Sequence, residues 1–212
     1  MPIQLHTFDT PNGRKIGVAL EEMGLPYDIH VVDISHQEQF EPAFLAISPN
    51  NKIPAIVDPD GPGGRAISVF ESGAILIYLG QKSGRFWPAD DPAAQVQVLQ
   101  WLMFQVGGFG PMPGQVHHFA GLSNPAERDY GLARFSAETR RLYGVMDRRL
   151  ADVPHFAGAL SIADFAILGW VWRHERHQVD LADFPHVRRW YDQMMARPAT
   201  VRGFAVPMRR PV

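Results

Sequence analysis

Ser48-Pro49-Asn50-Asn51-Lys52-Ile53-Pro54-Ala55-Ile56-Val57-Asp58 is the stretch whose reading decides the fold. It reads as a polar turn that ends in Ile-Pro and feeds a short apolar strand. Cis peptide bonds are almost confined to X-Pro steps in tight turns, so Pro54 is a candidate cis proline. A cis bond there turns the N–H and C=O of Ile53 away from the sheet, where an extended peptide can pair with them as an added strand would. A little further on, Val69-Phe70-Glu71-Ser72-Gly73-Ala74 reads as a strand edge opening a helix. A helix start presents unpaired N–H groups and a positive dipole end, which suits a carboxylate. A peptide clamp beside an anion pocket fits a small acidic peptide, against the plainer reading of a turn proline and a helix cap.

Outward from this segment, residues 3–8 alternate Ile3, Leu5, Thr7 with Gln4, His6, Phe8, the period of a strand. Thr10 is placed to cap a helix with Pro11 in its first turn. Ile16, Ala19, Leu20 and Met23 follow at helical spacing until Gly24. The pattern predicts a second strand from Tyr27 to Asp33, a weaker helix from Gln39 to Ile47, and strands at 55–57 and 66–69 around the loop Asp58-Pro59-Asp60-Gly61-Pro62-Gly63-Gly64. A helix from Glu71 to Gln81 closes this half. The order β-α-β-α-β-β-α is that of a thioredoxin-like domain over residues 1–84, with a parallel crossover and an antiparallel hairpin.

Residues 85–92 form a Pro- and Asp-rich linker, and 93–212 read as an all-helical domain. There Leu132, Phe135, Thr139, Leu142, Met146 and Leu150 step by three and four along a long helix. Ser161-Ile162-Ala163-Asp164 is a capping box, and a final helix spans 184–197, stopped by Pro198. Gly107-Gly108-Phe109-Gly110-Pro111 is too glycine-rich for a plain helix interior and predicts a break or bend.

Composition narrows the function. A chain of 212 residues that is 46% hydrophobic supports packed cores, and a net charge of −2 offers no polyanion-binding surface, so nucleic acid is not an expected partner. There is no apolar run of membrane-spanning length and no basic, apolar leader at the N-terminus, so a cytoplasmic protein is expected. The chain has no cysteine. It therefore has no thiol nucleophile or thiolate metal site of its own, and any thiol chemistry uses a sulfur brought by a ligand. His117-His118 and the pair His174 and His177 lack converging further ligands, so no metal is expected.

Thr10-Pro11-Asn12-Gly13, the 48–54 turn, Phe70-Glu71-Ser72-Gly73 and Trp101-Leu102-Met103-Phe104-Gln105-Val106-Gly107-Gly108 together resemble the glutathione transferase family. They resemble its bacterial nu class in particular, the YfcG-like glutathione-dependent disulfide-bond reductases. The resemblance covers nearly the whole chain and implies a glutathione transferase-type all-helical C-terminal domain. It also implies glutathione as cosubstrate, a small disulfide as substrate, and a homodimer that uses the helix around Ala74 to Leu79 and the helices after residue 93. By the same resemblance, Thr10 and Asn12 face the glutathione sulfur, and Ile53, beside cis-Pro54, pairs with the cysteinyl backbone. Glu71 and Ser72 hold the γ-glutamyl end, Gln39 and Lys52 lie near the glycine carboxylate, and Arg134 meets oxidised glutathione. The N-terminal segment lacks the Tyr, Ser or Cys that many of these enzymes use against sulfur, which points to disulfide reduction, with weak peroxide reduction beside it. The alternatives are conventional conjugation of electrophiles and a glutathione-binding regulator with little catalysis. Asp9, a carboxylate that would oppose a nearby thiolate, is expected to point elsewhere.

Overall fold

The alternation of residues 3–7 becomes strand β1 (Ile3–Thr7) in the computed structural model, which describes residues 1–207. Ile3, Leu5 and Thr7 are buried along one face, as a period of two requires. β1 pairs parallel with β2 (Tyr27–Val31) and antiparallel with β3 (Ala55–Asp58), and β3 pairs antiparallel with β4 (Ile67–Phe70). The sheet order is β2-β1-β3-β4. The parallel pair is bridged by helix α1 (Pro11–Met23), and α3 (Ser72–Ser83) follows β4 and packs against α1. On the side of the sheet that carries His6, Phe44 forms a small cluster with Val32 and Ala55.

Two elements of this half differ from the sequence reading. The strand expected to reach Asp33 ends at Val31, because Asp33 caps a 3-10 turn by accepting from Ser35 N. In place of the helix expected over 39–47 there is the end of a 3-10 turn, Glu38–Phe40, followed by the single turn α2 (Pro42–Leu45). Pro42 supplies no N–H and disfavours a helical Glu41, which is extended at φ −66° and ψ 140°, so no continuous helix passes through.

The chain divides into two compact units, Met1–Ala89 together with the C-terminal segment from Ala196, and Asp90–Met195. The C-terminal segment is where the sequence reading and the structure part. Pro198 stops one helix but serves as first residue of another, α9 (Pro198–Phe204), which packs along α1. Two glycines permit the approach: a Cβ on Gly203 would collide with the backbone of Val18, and one on Gly17 would lie 2.7 Å from the carbonyl oxygen of Gly203. A buried carboxylate fixes the contact. Glu22 accepts from Arg197 Nε and Nη2, both at 2.7 Å, and from Thr200 Oγ1 at 3.2 Å. The bidentate fork is the strong form of this pairing.

The second unit contains α4 (Pro92–Met103), α5 (Pro111–Ala120), α6 (Pro125–Asp152), α7 (Ile162–Val171) and α8 (Pro185–Met195). Through the glycine-rich stretch, α4 gives way to a π-helical turn over Phe104–Phe109, and α5 starts at Pro111. α7 is buried throughout, and its capping box is also an internal anchor. The fully buried Asp164 accepts from Ser161 N, Phe156 N and Trp190 Nε1 at 3.0 to 3.2 Å, so the charge is satisfied within the core. Phe109, fully buried, packs edge-on to Tyr143, while Tyr143 Oη meets His177 Nδ1 at 2.9 Å. Burial lowers His117 to about 4 and His177 to about 2, so both are neutral core aromatics. Among the described residues there is no group of three or more His, Cys, Asp or Glu that could hold a metal, and no helix long and apolar enough to cross a membrane.

Candidate functional site

Three loops of the first unit supply the candidate site. The first joins β1 to α1. Thr10, extended at φ −135°, caps α1 by accepting from Gly13 N at 3.1 Å, and Pro11 occupies the first helical position. Gly13 is required: a Cβ there would strike Phe8 O and lie 2.5 Å from Thr7 Oγ1. The cap bond uses an acceptor lone pair of the Thr10 hydroxyl and leaves its proton available for donation. Asp9 is tied up by Arg14. Its Oδ1 accepts from Arg14 Nε at 2.9 Å and Nη2 at 2.7 Å, so its charge is matched beside the helix start.

The second loop is the 48–54 turn. Ser48 is fully buried and donates through Oγ to the carbonyl of Lys52 at 2.8 Å, while Asn51 N donates back to Ser48 O at 2.9 Å. Asn51 sits at φ +49°, a conformation its type tolerates. The Ile53–Pro54 bond is cis. The ladder with β4 begins at Ala55↔Phe70, so the N–H and C=O of Ile53 lie outside it.

The third loop turns from β4 into α3. Glu71 precedes the helix at φ 70° and ψ 115°, and its carbonyl accepts the first helical bond from Ile75 N at 2.9 Å. The sequence reading starts the helix at Glu71; the structure starts it at Ser72, with Glu71 in a sparsely populated conformation. Such backbone strain concentrates at ligand clamps and active sites.

These loops converge on a pocket of about 140 Å³. Asn12, Lys52, Ile53, Pro54, Glu71 and Ser72 line it, together with Ser48 and Phe70, which the sequence reading did not single out. Lys52 is exposed and Pro54 buried. Thr10 is not among the lining residues; it stands at the cap two positions before Asn12. Gln39 is not among them either. It lies in the Glu38–Phe40 turn with its Oε1 buried and without a hydrogen-bond partner, an acceptor that a ligand N–H would satisfy. Arg134 belongs to α6 of the second unit and is exposed. Arg141 takes the Glu138 carboxylate in a fork at 2.7 Å, and Arg134 adds only a smaller charge attraction to it.

The sequence reading missed Lys15 altogether. It is 2% exposed, and its Nζ lies 3.2 Å from Ser72 Oγ. Burial lowers its ammonium to about 7 against the opposing pull of Glu71. A lysine amid α1's apolar face was the available signal.

Two family models match the chain: the N-terminal domain of glutathione S-transferase over residues 10–82, and the C-terminal domain over 117–198. The chain is also 47% identical over 200 residues to the disulfide-bond oxidoreductase YfcG of Escherichia coli, covering 93% of this chain and 92% of that protein. This chain belongs to the glutathione S-transferase family. Its fold is shared with a glutathione transferase from Burkholderia graminis solved with two glutathione molecules bound per subunit, at a TM-score of 0.91 and 43% identity over 99% of this chain and 90% of that one. A glutathione transferase from Pseudomonas putida, solved with one glutathione disulfide bound per subunit, matches at a TM-score of 0.89 and 44% identity over 97% and 92%. The four-stranded unit is thus the thioredoxin-like half of a glutathione transferase fold, and the helical unit its partner.

Proposed function

We propose that this protein is a glutathione-dependent disulfide-bond oxidoreductase that reduces small disulfides with the thiolate of bound glutathione. The observation that carries the reading is the convergence of Asn12, Ile53 and the Glu71-Ser72 helix start on one pocket in a chain without cysteine. The similarity to a disulfide-bond oxidoreductase, and to a transferase that holds glutathione disulfide, supports it.

Ile53 offers its backbone to the cysteinyl residue of glutathione as a neighbouring strand would. Ser72 and the N-terminus of α3 receive the γ-glutamyl carboxylate, and Glu71 receives the amino group. Lys52 and Gln39 serve the glycine end, Lys52 by charge. Thr10 and Asn12 donate toward the sulfur from the start of α1, where the helix dipole also favours the thiolate. That thiolate attacks one sulfur of the substrate disulfide. A new S–S bond forms, the old one breaks, and the displaced sulfur leaves as a thiolate that takes up a proton. A second glutathione thiolate then attacks the glutathione sulfur of the mixed disulfide, releasing the second substrate thiol and glutathione disulfide. Two electrons pass from two glutathiones to the substrate. The protein contributes positioning and charge stabilisation.

A homodimer in the cytoplasm belongs to the same reading. Val96 and Met103, seven residues apart on one face of α4, are half exposed and suit a second copy. The cytoplasm keeps the glutathione pool reduced. Light scattering at micromolar concentration tests the dimer, and a monomer removes it.

Turnover of a model disulfide, a chlorinated aromatic electrophile and an organic peroxide, measured side by side, tests the activity. The disulfide is expected to be the best substrate. Calorimetric titration is expected to find glutathione disulfide bound at least as tightly as glutathione. Binding of the disulfide more than about tenfold weaker, about 1.4 kcal/mol, would return conjugation to first place.

A further inference from the structure

Lys15 has no assigned role, and its placement is costly. It sits on the inner face of α1 at 2% exposure, beside the start of α3. A buried ammonium loses its hydration, and the positive end of a helix dipole is the wrong end for a cation. A methionine would fill similar volume without either cost. Its Nζ donates to Ser72 Oγ at 3.2 Å, and Ser72 lines the same pocket as Asn12 and Ile53.

The chemistry of the contact is directional. An ammonium donates and cannot accept. Opposite charged Lys15, the Ser72 oxygen is the acceptor and its proton is left to point into the pocket. Opposite a neutral amine, the same proton can turn inward to the nitrogen lone pair. The Ser72 hydroxyl is therefore held as a donor toward a ligand anion while Lys15 carries its charge. Charged groups of the neighbouring elements bear on it. Glu71 at the start of α3 attracts the ammonium and offsets part of the effect of burial. On α9, Arg197 and Arg202 are engaged by Glu22 and Glu21. The β1 residue Thr7, fully buried, carries none.

We propose that Lys15 is a positioning residue for the γ-glutamyl carboxylate, aiming the Ser72 hydroxyl into the pocket and serving as buried counter-charge to the bound anion. This rests on the glutathione reading and adds proton linkage to it. Burial lowers the ammonium to about 7 in the free protein, and an arriving carboxylate raises it again. Binding then draws in a proton near neutral pH. Affinity is highest when Lys15 is already charged and declines as pH rises through its value in the complex. A rise of about one unit on binding corresponds to a roughly fivefold loss of affinity from pH 6 to pH 8 and to uptake of about half a proton at pH 7.5.

The probe is S-methylglutathione, whose sulfur cannot ionise and whose carboxylates and amino group keep their charges over this range. Titration calorimetry in buffers of different ionisation enthalpy is expected to show proton uptake at pH 7.5 for the unaltered protein. Lys15→Met is expected to melt no lower than the parent, bind at least tenfold more weakly at pH 6.5, and lose the pH dependence. Lys15→Arg, charged throughout, is expected to recover most of the affinity without the pH dependence. Binding by the unaltered protein with no proton exchanged, or parent-like binding by Lys15→Met, overturns the proposal and leaves the glutathione reading standing. No binding of S-methylglutathione by the unaltered protein removes both.

Discussion

Replacing Thr10 by Ala separates two jobs that one hydroxyl performs. The Thr10 oxygen accepts from Gly13 N at 3.1 Å, and loss of such a cap costs about 1 kcal/mol of stability. For a chain of this size that is a fall in Tm of about 2–4 °C. The same hydroxyl retains a proton directed, in the proposed reading, at the glutathione sulfur. A hydrogen bond to a charged partner contributes about 1.5–3 kcal/mol, which at about 1.36 kcal/mol per unit raises the pKa of the bound thiol by one to two units. At pH 7 the thiolate fraction, and with it turnover of a model disulfide, falls by up to about tenfold for each unit of that rise. Thiolate absorbance of the bound glutathione followed against pH reads the second effect, and a thermal melt reads the first. Asn12→Ala is the companion variant, because the cap contact belongs to Thr10: it is expected to raise the thiol pKa and to leave glutathione affinity within about tenfold, since in the proposed reading Ile53, Glu71 and Ser72 hold the peptide. If neither substitution moves the thiol pKa, Thr10 and Asn12 are a helix start and nothing more.

Gly203→Ala forces a Cβ against the backbone of Val18, and overpacking against an immovable neighbour is expected to cost about 1–3 kcal/mol; a melt unchanged from the parent would show that α9 does not hold α1 as described. Stability is expected to fall as pH drops below about 6.5, because His6 and His117 are lowered to about 4 by burial and His177 to about 2, while the unfolded chain binds protons from 6.5 downward. Each histidine contributes up to about 1.4 kcal/mol per pH unit in that window and nothing above it; denaturant titrations at pH 7, 6 and 5 that coincide would refute the assignment. Arg134→Ala is expected to weaken binding of glutathione disulfide selectively in calorimetry, whereas equal loss for the reduced form assigns that arginine a structural role.

Local chemistry was legible in the linear sequence wherever the cause was local. The cis proline, the caps at Thr10 and Ser161, the strand alternation of β1 and the periodicity of α6 each follow from residues a few positions apart; such features set the order of elements, and the family resemblance named most of the residues that line the pocket. Where the cause was distant, the sequence was silent. Pro198 reads as a stop, but Gly17 and Gly203 make room for one more helix, and Glu22 finds Arg197 across 175 positions. Helix α1 reads as amphipathic, yet α3 and α9 both pack on it and bury Glu22 and Lys15 as well as its apolar residues. A lysine's charge is a surface property until packing removes its water. The sequence thus determined where the cis-proline turn and the start of α3 lie, while the tertiary structure decided that a buried lysine stands behind Ser72, because burial and helix docking arise only between segments far apart along the chain.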